Sequence, residues 1–507
     1  MKLYLKASIF LLTITVVGQT SLQELYSTPG SYAVGFQHYG AVDSSRTYSR
    51  LSDWTNEKLP RPIPVSVWYP AEKNSATNTL KILDYMRILK NEEEWEHLPD
   101  EQILNWFYYA NTQENQKHLT RSTRSFLDVK PAPGKYPVVI YAPSYQASSI
   151  ENFALCELLA SHGYVVFSSP SRGHDYRYFQ GGTAKDAEAQ ARDVEFLMIQ
   201  AKKHPSVDFD KMGAMGFSFG GMSTMNAKMR NTNIKALVSL DGTERYVYET
   251  LEKSPYFNLA NINVPYIHLS QKEIPKQVLE EDSIDPELNT KFDLYDSITK
   301  SKVYRLKMHH LSHSYFSTLG VLFQSRDTRK DKSDAEIMKS YQWLSQYALQ
   351  FFNAYLKKDE TALKFLENTP EANGVAEGII GKMQKEPVPK ALSFQDFNEM
   401  AAKQGYEDLI PLFQSLQKEN PSLSFREIRL NNLGLQLMFH PGKTEQSIKV
   451  FLLATYLYPE SANLFDSLAE AYLYANKPKE AIVAFEKSLA LNPENMNAVN
   501  RLKELKE

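Results

Sequence analysis

The stretch from Lys211 to Thr224, KMGAMGFSFGGMST, encloses Ser218 between glycines at 213, 216, 220 and 221, in a chain with only 21 glycines among 507 residues. Gly-x-Ser-x-Gly is the pattern of a sharp turn from strand to helix that lifts a serine hydroxyl above the carboxyl edge of a sheet. Small residues at 216 and 220 let the strained turn and the following helix approach without clash. A serine hydroxyl alone is a poor nucleophile, so the chemistry also requires an imidazole to take its proton and a carboxylate to orient that imidazole. Where this turn is used, the partners follow in the order Ser, Asp or Glu, His. Asp241 ends the next strand-like run, ALVSLDG, and so stands at the same sheet edge as Ser218; Glu273, after VPYIHLSQK, is the alternative acid. His313, in HHLSHSYF, is where the order puts the base, while His309 and His310 come earlier and fall on or beside the last strand. A metal site at His310 and His313 would lack a third ligand, and the acyl transfer that such a triad performs needs no metal or cofactor.

Elements of a particular kind must hold these residues. YPVVIYAP (136–143), GYVVFSSPS (163–171), KMGAMGFS (211–218), IKALVSLDG (234–242), VPYIHLSQ (264–271) and SKVYRLKMHH (301–310) read as strands. ENFALCELLASH and AKDAEAQARDVEFLMIQAKKH read as intervening helices. Such alternation predicts an α/β domain, a mainly parallel sheet with helices on both faces. SYAVGFQHYGAV and IPVSVWYP precede it and suit an antiparallel pair at the sheet edge. An insertion at 80–125, rich in Leu, Trp, Tyr and Glu, reads as helical: a candidate cap over a pocket, or plain surface helices.

Composition narrows the class of protein. With 42% hydrophobic, 12% aromatic and 23% charged residues, the chain can bury a large core. Its 57 basic and 60 acidic side chains leave a formal net charge of -3, which argues against nucleic acid or an anionic membrane as the main partner. Lys2 and Lys6 precede an apolar run from Ala7 to Val17, the layout of a secretory signal peptide over residues 1–18. The run is short for a bilayer span, so the expectation is an exported protein, periplasmic or extracellular, with no transmembrane segment. Cys156 is the single cysteine, which excludes an internal disulfide and a thiolate metal cluster.

Past about residue 391 the strand patterns stop. Two related stretches follow, LNNLGLQLMFHPGKTEQSIKVFLLATYLYPES and LFDSLAEAYLYANKPKEAIVAFEKSLALNPEN, in which Ile448 and Ile482, and Pro459 and Pro493, are each 34 positions apart. This period, with its Ala-Ile-x-x-Phe and Asn-Pro landmarks, resembles the tetratricopeptide repeat. The expected division is thus an α/β domain over 19–390 and a small all-α domain over 391–507, its repeats at about 429–495. Two repeats make a short array, either an appendage or a surface for contact with another protein.

Taken together, SRTYS (45–49), RPIPVSVWYP (61–70), GYVVFSSPSRGHD (163–175), GFSFGG (216–221), LVSLDG (237–242) and SHSYF (312–316) resemble the platelet-activating-factor acetylhydrolase and dienelactone hydrolase branch of α/β-hydrolases, over roughly Tyr32 to Leu356. The resemblance implies the α/β-hydrolase fold and favours Asp241 over Glu273, because in the acetylhydrolase branch the acid follows the strand immediately after the nucleophile. The His-x-x-Phe of that branch maps onto His313 and Phe316. Relatives carry His-Gly-x-Gly after the third main strand, where this chain has Pro143-Ser144-Tyr145-Gln146; the oxyanion donors implied are the backbone N–H groups of Tyr145 and Phe219. The function implied is a secreted serine esterase acting on a small-molecule, glycan or lipid ester through Ser218, His313 and Asp241. Amide cleavage by the same triad is an alternative, and so is a non-catalytic hydrolase fold that works through its helical repeats.

Overall fold

The computed structural model of the chain describes residues 20–50, 57–72, 78–106, 109–281, 284–323, 330–388, 392–421 and 423–507. The expected signal peptide lies outside the described residues. The chain divides into two compact units, Met1–Val388 and Pro389–Glu507.

The first unit is built on one ten-stranded sheet: β1 (Ala33–Tyr48), β2 (Leu59–Ala71), β3 (Ser125–Leu127), β4 (Tyr136–Ala142), β5 (Val165–Ser168), β6 (Val207–Phe217), β7 (Ile234–Leu240), β8 (Tyr266–Gln271), β9 (Val303–Met308) and β10 (Ile380–Lys385), in the order β10-β9-β8-β7-β6-β4-β5-β2-β1-β3. Six central strands, from β5 through β4, β6, β7 and β8 to β9, run parallel. β1 and β2 form the antiparallel pair that the sequence suggests, and β10 adds an antiparallel edge to β9. Two short edge strands, β3 and β10, were not legible: three residues are too few to show alternation, and IGKMQK carries only two apolar side chains, Ile380 and Met383, at an odd spacing that shows no period of two.

Parallel strands buried on both faces read as continuous apolar runs, and here the period of two sorts them. Val138, Ile140, Ala142 and Ala214 pack with Ala187, Val194, Leu197, Met222 and Met225 on one face. Val139, Tyr141, Met215 and Phe217 pack with Phe153, Leu158, Tyr341, Leu344 and Phe352 on the other. The helices supplying these layers are α1 (Ile82–Glu92, from the insertion), α2 (Phe153–Ser161), α3 (Ala184–Lys203), α4 (Phe219–Arg230) and α5 (Asp334–Leu356). Both long helices start at capping boxes, Thr183 with Asp186 in α3 and Ser333 with Glu336 in α5, which satisfy first-turn N–H groups. A fully buried side chain of this size contributes roughly 1.5–3 kcal/mol, so the two layers fix the strand register that the loops depend on.

The insertion is pinned at the end of α1. The Glu92 carboxylate accepts from Ser149 N–H at 3.0 Å and from the Ser148 hydroxyl, and Glu93 pairs with Arg177 at 2.7 Å. Both partners lie on loops that follow β4 and β5.

The second unit is helical, with helices at Phe394–Lys403, Leu409–Glu419, Glu427–Met438, Thr444–Leu457, Ala462–Tyr474, Pro478–Leu491 and Met496–Lys506. Gly434 sits where a Cβ would meet the Phe451 ring at 2.5 Å, so the helix of the first stretch packs closely on its successor. The Ser447 hydroxyl donates to Gly434 O and the Ser488 hydroxyl to Ala462 O, each at 2.8 Å.

Candidate active site

The four glycines around Ser218 have separate steric reasons. A Cβ on Gly216 would fall 2.2 Å from Gly220 O, and one on Gly220 2.0 Å from Ala142 O, so the turn and α4 can lie this close to β4 only without side chains. A Cβ on Gly213 would meet the Phe352 ring of α5 at 2.5 Å, and one on Gly221 the Glu244 carboxylate at 2.5 Å. Ser218 itself has φ 53° and ψ -120°, a strained conformation for a residue with a side chain. Its N–H donates to Leu240 O at 3.0 Å, and its own carbonyl accepts from Gly221 N–H and Thr243 N–H at 2.9 Å, which hold the turn in place.

His313 follows β9 and Asp241 follows β7, and the sheet brings both to Ser218. Ser218 Oγ lies 2.9 Å from His313 Nε2, and His313 Nδ1 lies 2.6 Å from Asp241 Oδ2. The other carboxylate oxygen, Oδ1, accepts from Gln271 N–H at 2.9 Å and Tyr246 O–H at 2.7 Å. Burial pushes the Asp241 carboxyl up, but the hydrogen bond and charge of His313, with the Gln271 N–H, outweigh it and hold the group below the usual carboxylate range. Burial and the Asp241 charge drive the Tyr246 phenol well above its ordinary value, so it serves as a donor. Gln271 also fixes the histidine loop: its Oε1 accepts from His313 N–H at 3.1 Å and its Nε2 donates to Tyr246 Oη at 2.9 Å.

Glu273 stands elsewhere. Its side chain is 69% exposed and pairs with Lys307 at 3.4 Å. Among the described residues, the only histidine that bonds Ser218 or Asp241 is His313; the N–H of His309 is taken by Ile379 O at the β10 side.

The loop after β4 holds its shape without glycine. Ser144 donates its N–H to Glu151 Oε2 at 2.9 Å and its hydroxyl to Glu151 Oε1 at 2.5 Å. Gln146 adopts φ 52°, and its side-chain carbonyl accepts from Phe179 N–H at 3.2 Å. Tyr145, between them, sets its ring edge-on to Phe179 and Phe219, with centroids 4.9 and 5.8 Å apart, beside the turn at Ser218. Burial drives the Glu151 carboxyl up to about 7, although Ser144, the Tyr141 hydroxyl and the charge of His313 all pull the other way. Glu151, Tyr246 and Gln271 went unread as functional in the sequence. Each acts on a residue far from it in sequence or through a loop, and no spacing signals that.

Beside His313 opens a cavity of about 640 Å³, walled by the loops after β7, β8 and β9. None of its wall comes from the 80–125 insertion. A hydroxyl bonded to an imidazole that is bonded in turn to a buried carboxylate can be activated for attack on a carbonyl.

The model of the dienelactone hydrolase family matches residues 124–291, a stretch that contains Ser218 and Asp241. No curated protein matches the chain. Among solved structures, a ferulic acid esterase from Streptomyces cinnamoneus is similar at 18% identity and a TM-score of 0.47, covering 71% of this chain and 98% of that one. The mostly parallel sheet and the strand-turn-helix at Ser218 agree with that match and give the first unit an α/β-hydrolase fold, followed by a helical region. No described helix is long and apolar enough to cross a membrane.

Proposed function

We propose that the protein is a serine hydrolase that cleaves a carboxylic ester through an acyl-enzyme. The observation that carries this reading is the hydrogen-bonded line from Ser218 Oγ through His313 to the buried Asp241. Ser218 Oγ attacks the ester carbonyl and passes its proton to His313 Nε2, while Asp241 holds the Nδ1 proton and stabilises the imidazolium. The N–H groups of Phe219 and Tyr145, on neighbouring loops beside the nucleophile, receive the oxyanion; one such donor is worth about 10²–10³ in turnover. Collapse expels the alcohol with the proton from His313, and a water molecule repeats the sequence to release the acid.

The reading extends to an exported enzyme, on the layout of its first residues, and to a tetratricopeptide-like pair of repeats, on the 34-residue period. The repeats serve either as an appendage or as a surface for contact with another protein. Replacing Ser218 by Ala is expected to abolish turnover of p-nitrophenyl acetate with the circular dichroism unchanged. Residual activity above about a tenth of the parent rate would assign the nucleophile to another serine, against the tenfold-per-1.36 kcal/mol scale of such losses.

A further inference from the structure

The three loops that carry the triad divide the site into two sides. The oxyanion donors, Tyr145 after β4 and Phe219 after β6, stand with Phe179 on one side of Ser218, in an aromatic cluster that leaves Tyr145 41% exposed. The cavity of about 640 Å³ has His313 in its wall and none of these aromatic residues.

Chemistry assigns the two sides. In the tetrahedral intermediate the carbonyl oxygen lies at the N–H donors, and the leaving oxygen must reach the imidazole that protonates it. The leaving group therefore departs past His313, which is part of the cavity wall. From the reading of Ser218 as an ester-cleaving nucleophile, on which this step rests, we infer that the cavity binds the alcohol portion of the substrate, and that this portion is a bulky, largely apolar, non-anionic alcohol or phenol.

The wall fits that class. Val247, Ile274, Pro275, Val278, Ile284 and Leu288 supply its apolar surface. Several of its polar groups are already engaged. Gln271 holds the histidine loop and Tyr246, and the Tyr246 hydroxyl is spent on Asp241. Lys272 pairs with Asp331, Lys330 with Asp334, and Asp285 accepts from Glu287 N–H at 2.9 Å. Both lysines of the wall are thus paired, and neither is left over to repay the desolvation of an anionic alcohol portion. The volume lies within the 300–1,000 Å³ or so that small-molecule pockets span, far more than a methyl or ethyl group fills.

Three esters test this on the full-length protein: ethyl acetate, cyclohexyl acetate, and ethyl cyclohexanecarboxylate, which exchanges the bulky group onto the acyl side. Cyclohexyl acetate is expected to exceed both others in kcat/KM by at least about tenfold, since each extra buried methylene is worth a few-fold or more. Val278→Trp and, separately, Leu288→Trp are expected to lower the ratio of cyclohexyl to ethyl acetate turnover by a similar factor. Two positions guard against one variant that fails to fold. A preference for ethyl cyclohexanecarboxylate would put the acyl group in the cavity and overturn the inference, as would a ratio unchanged in both folded variants. Failure of all three esters in a protein that also leaves p-nitrophenyl acetate intact would instead overturn the esterase reading beneath it.

Discussion

Replacing Asp241 by Asn is the change whose outcome the geometry constrains most tightly. Asp241 Oδ1 faces two donors, Gln271 N–H and Tyr246 O–H, and Oδ2 faces His313 Nδ1. An amide has one acceptor oxygen and one NH₂. With two donors on one side, the oxygen must stay there, which turns the NH₂ toward His313 Nδ1. The imidazole is then forced to accept at Nδ1 and carry its proton on Nε2, the nitrogen that must take the proton of Ser218. The same exchange in a serine protease lowers turnover by about 10⁴; a loss of about 10³–10⁴ in kcat is expected here, or about 4–5.5 kcal/mol in the barrier, with little change in KM. Glu273→Gln is the control, expected to cost less than about tenfold because the side chain is largely exposed and bound to Lys307. Kinetics with p-nitrophenyl acetate, with a thermal melt to verify folding, decide it. A folded Asp241→Asn variant within tenfold of the parent, or a larger loss in Glu273→Gln, would refute the assignment of the acid.

Glu151→Gln is expected to lower kcat about tenfold by loosening Ser144 and with it Tyr145 N–H, while KM moves little, and Glu151→Asp is expected to recover less than half of that loss. Its pH dependence has a fixed sign: a carboxyl raised to about 7 when folded binds its proton more tightly in the native state, so it costs stability increasingly as pH rises from about 4.5 to 7. The Gln variant should therefore gain in unfolding free energy over the parent at pH 8 relative to pH 5, by up to about 3 kcal/mol at 1.36 kcal/mol per unit; an equal difference at both pH values would remove the buried titrating carboxylate from the account. Gly220→Ala is expected to destabilise by about 3 kcal/mol or more, since its Cβ would lie 2.0 Å from a backbone carbonyl, whereas Gly40→Ala, with open space around it, should stay within about 0.5 kcal/mol by chemical denaturation. A chain ending near Lys390 is expected to keep its specific activity on small esters; loss in a folded truncation would mean that the helical unit helps to build the site.

Legibility in the sequence followed the range of the interactions. The central strands were readable because burial on both faces forces continuous apolar runs such as YPVVIYA, and the turn at Ser218 because backbone contact at Gly216 and Gly220 excludes every side chain. The order of Ser218, Asp241 and His313 was readable because each follows a strand of one parallel sheet, so all reach the same edge. The choice between Asp241 and Glu273 was not settled by pattern alone, as both follow strands; it depends on which loop turns inward, and Asp241 does so in a left-handed conformation with φ 43°. The loop after β4 was the least readable part. Its shape comes from the Glu151 carboxylate and the Gln146 side chain, substituting for glycine through contacts that a linear pattern does not encode.

The central claim is that Ser218 is an activated nucleophile, and the most direct measurement is reaction of the folded protein with a fluorophosphonate, followed by intact mass and peptide mapping. The account predicts one adduct per chain, located on Ser218, and strongly slowed labelling in Asp241→Asn. A folded protein that takes up no label, or takes it on a different serine, would contradict it.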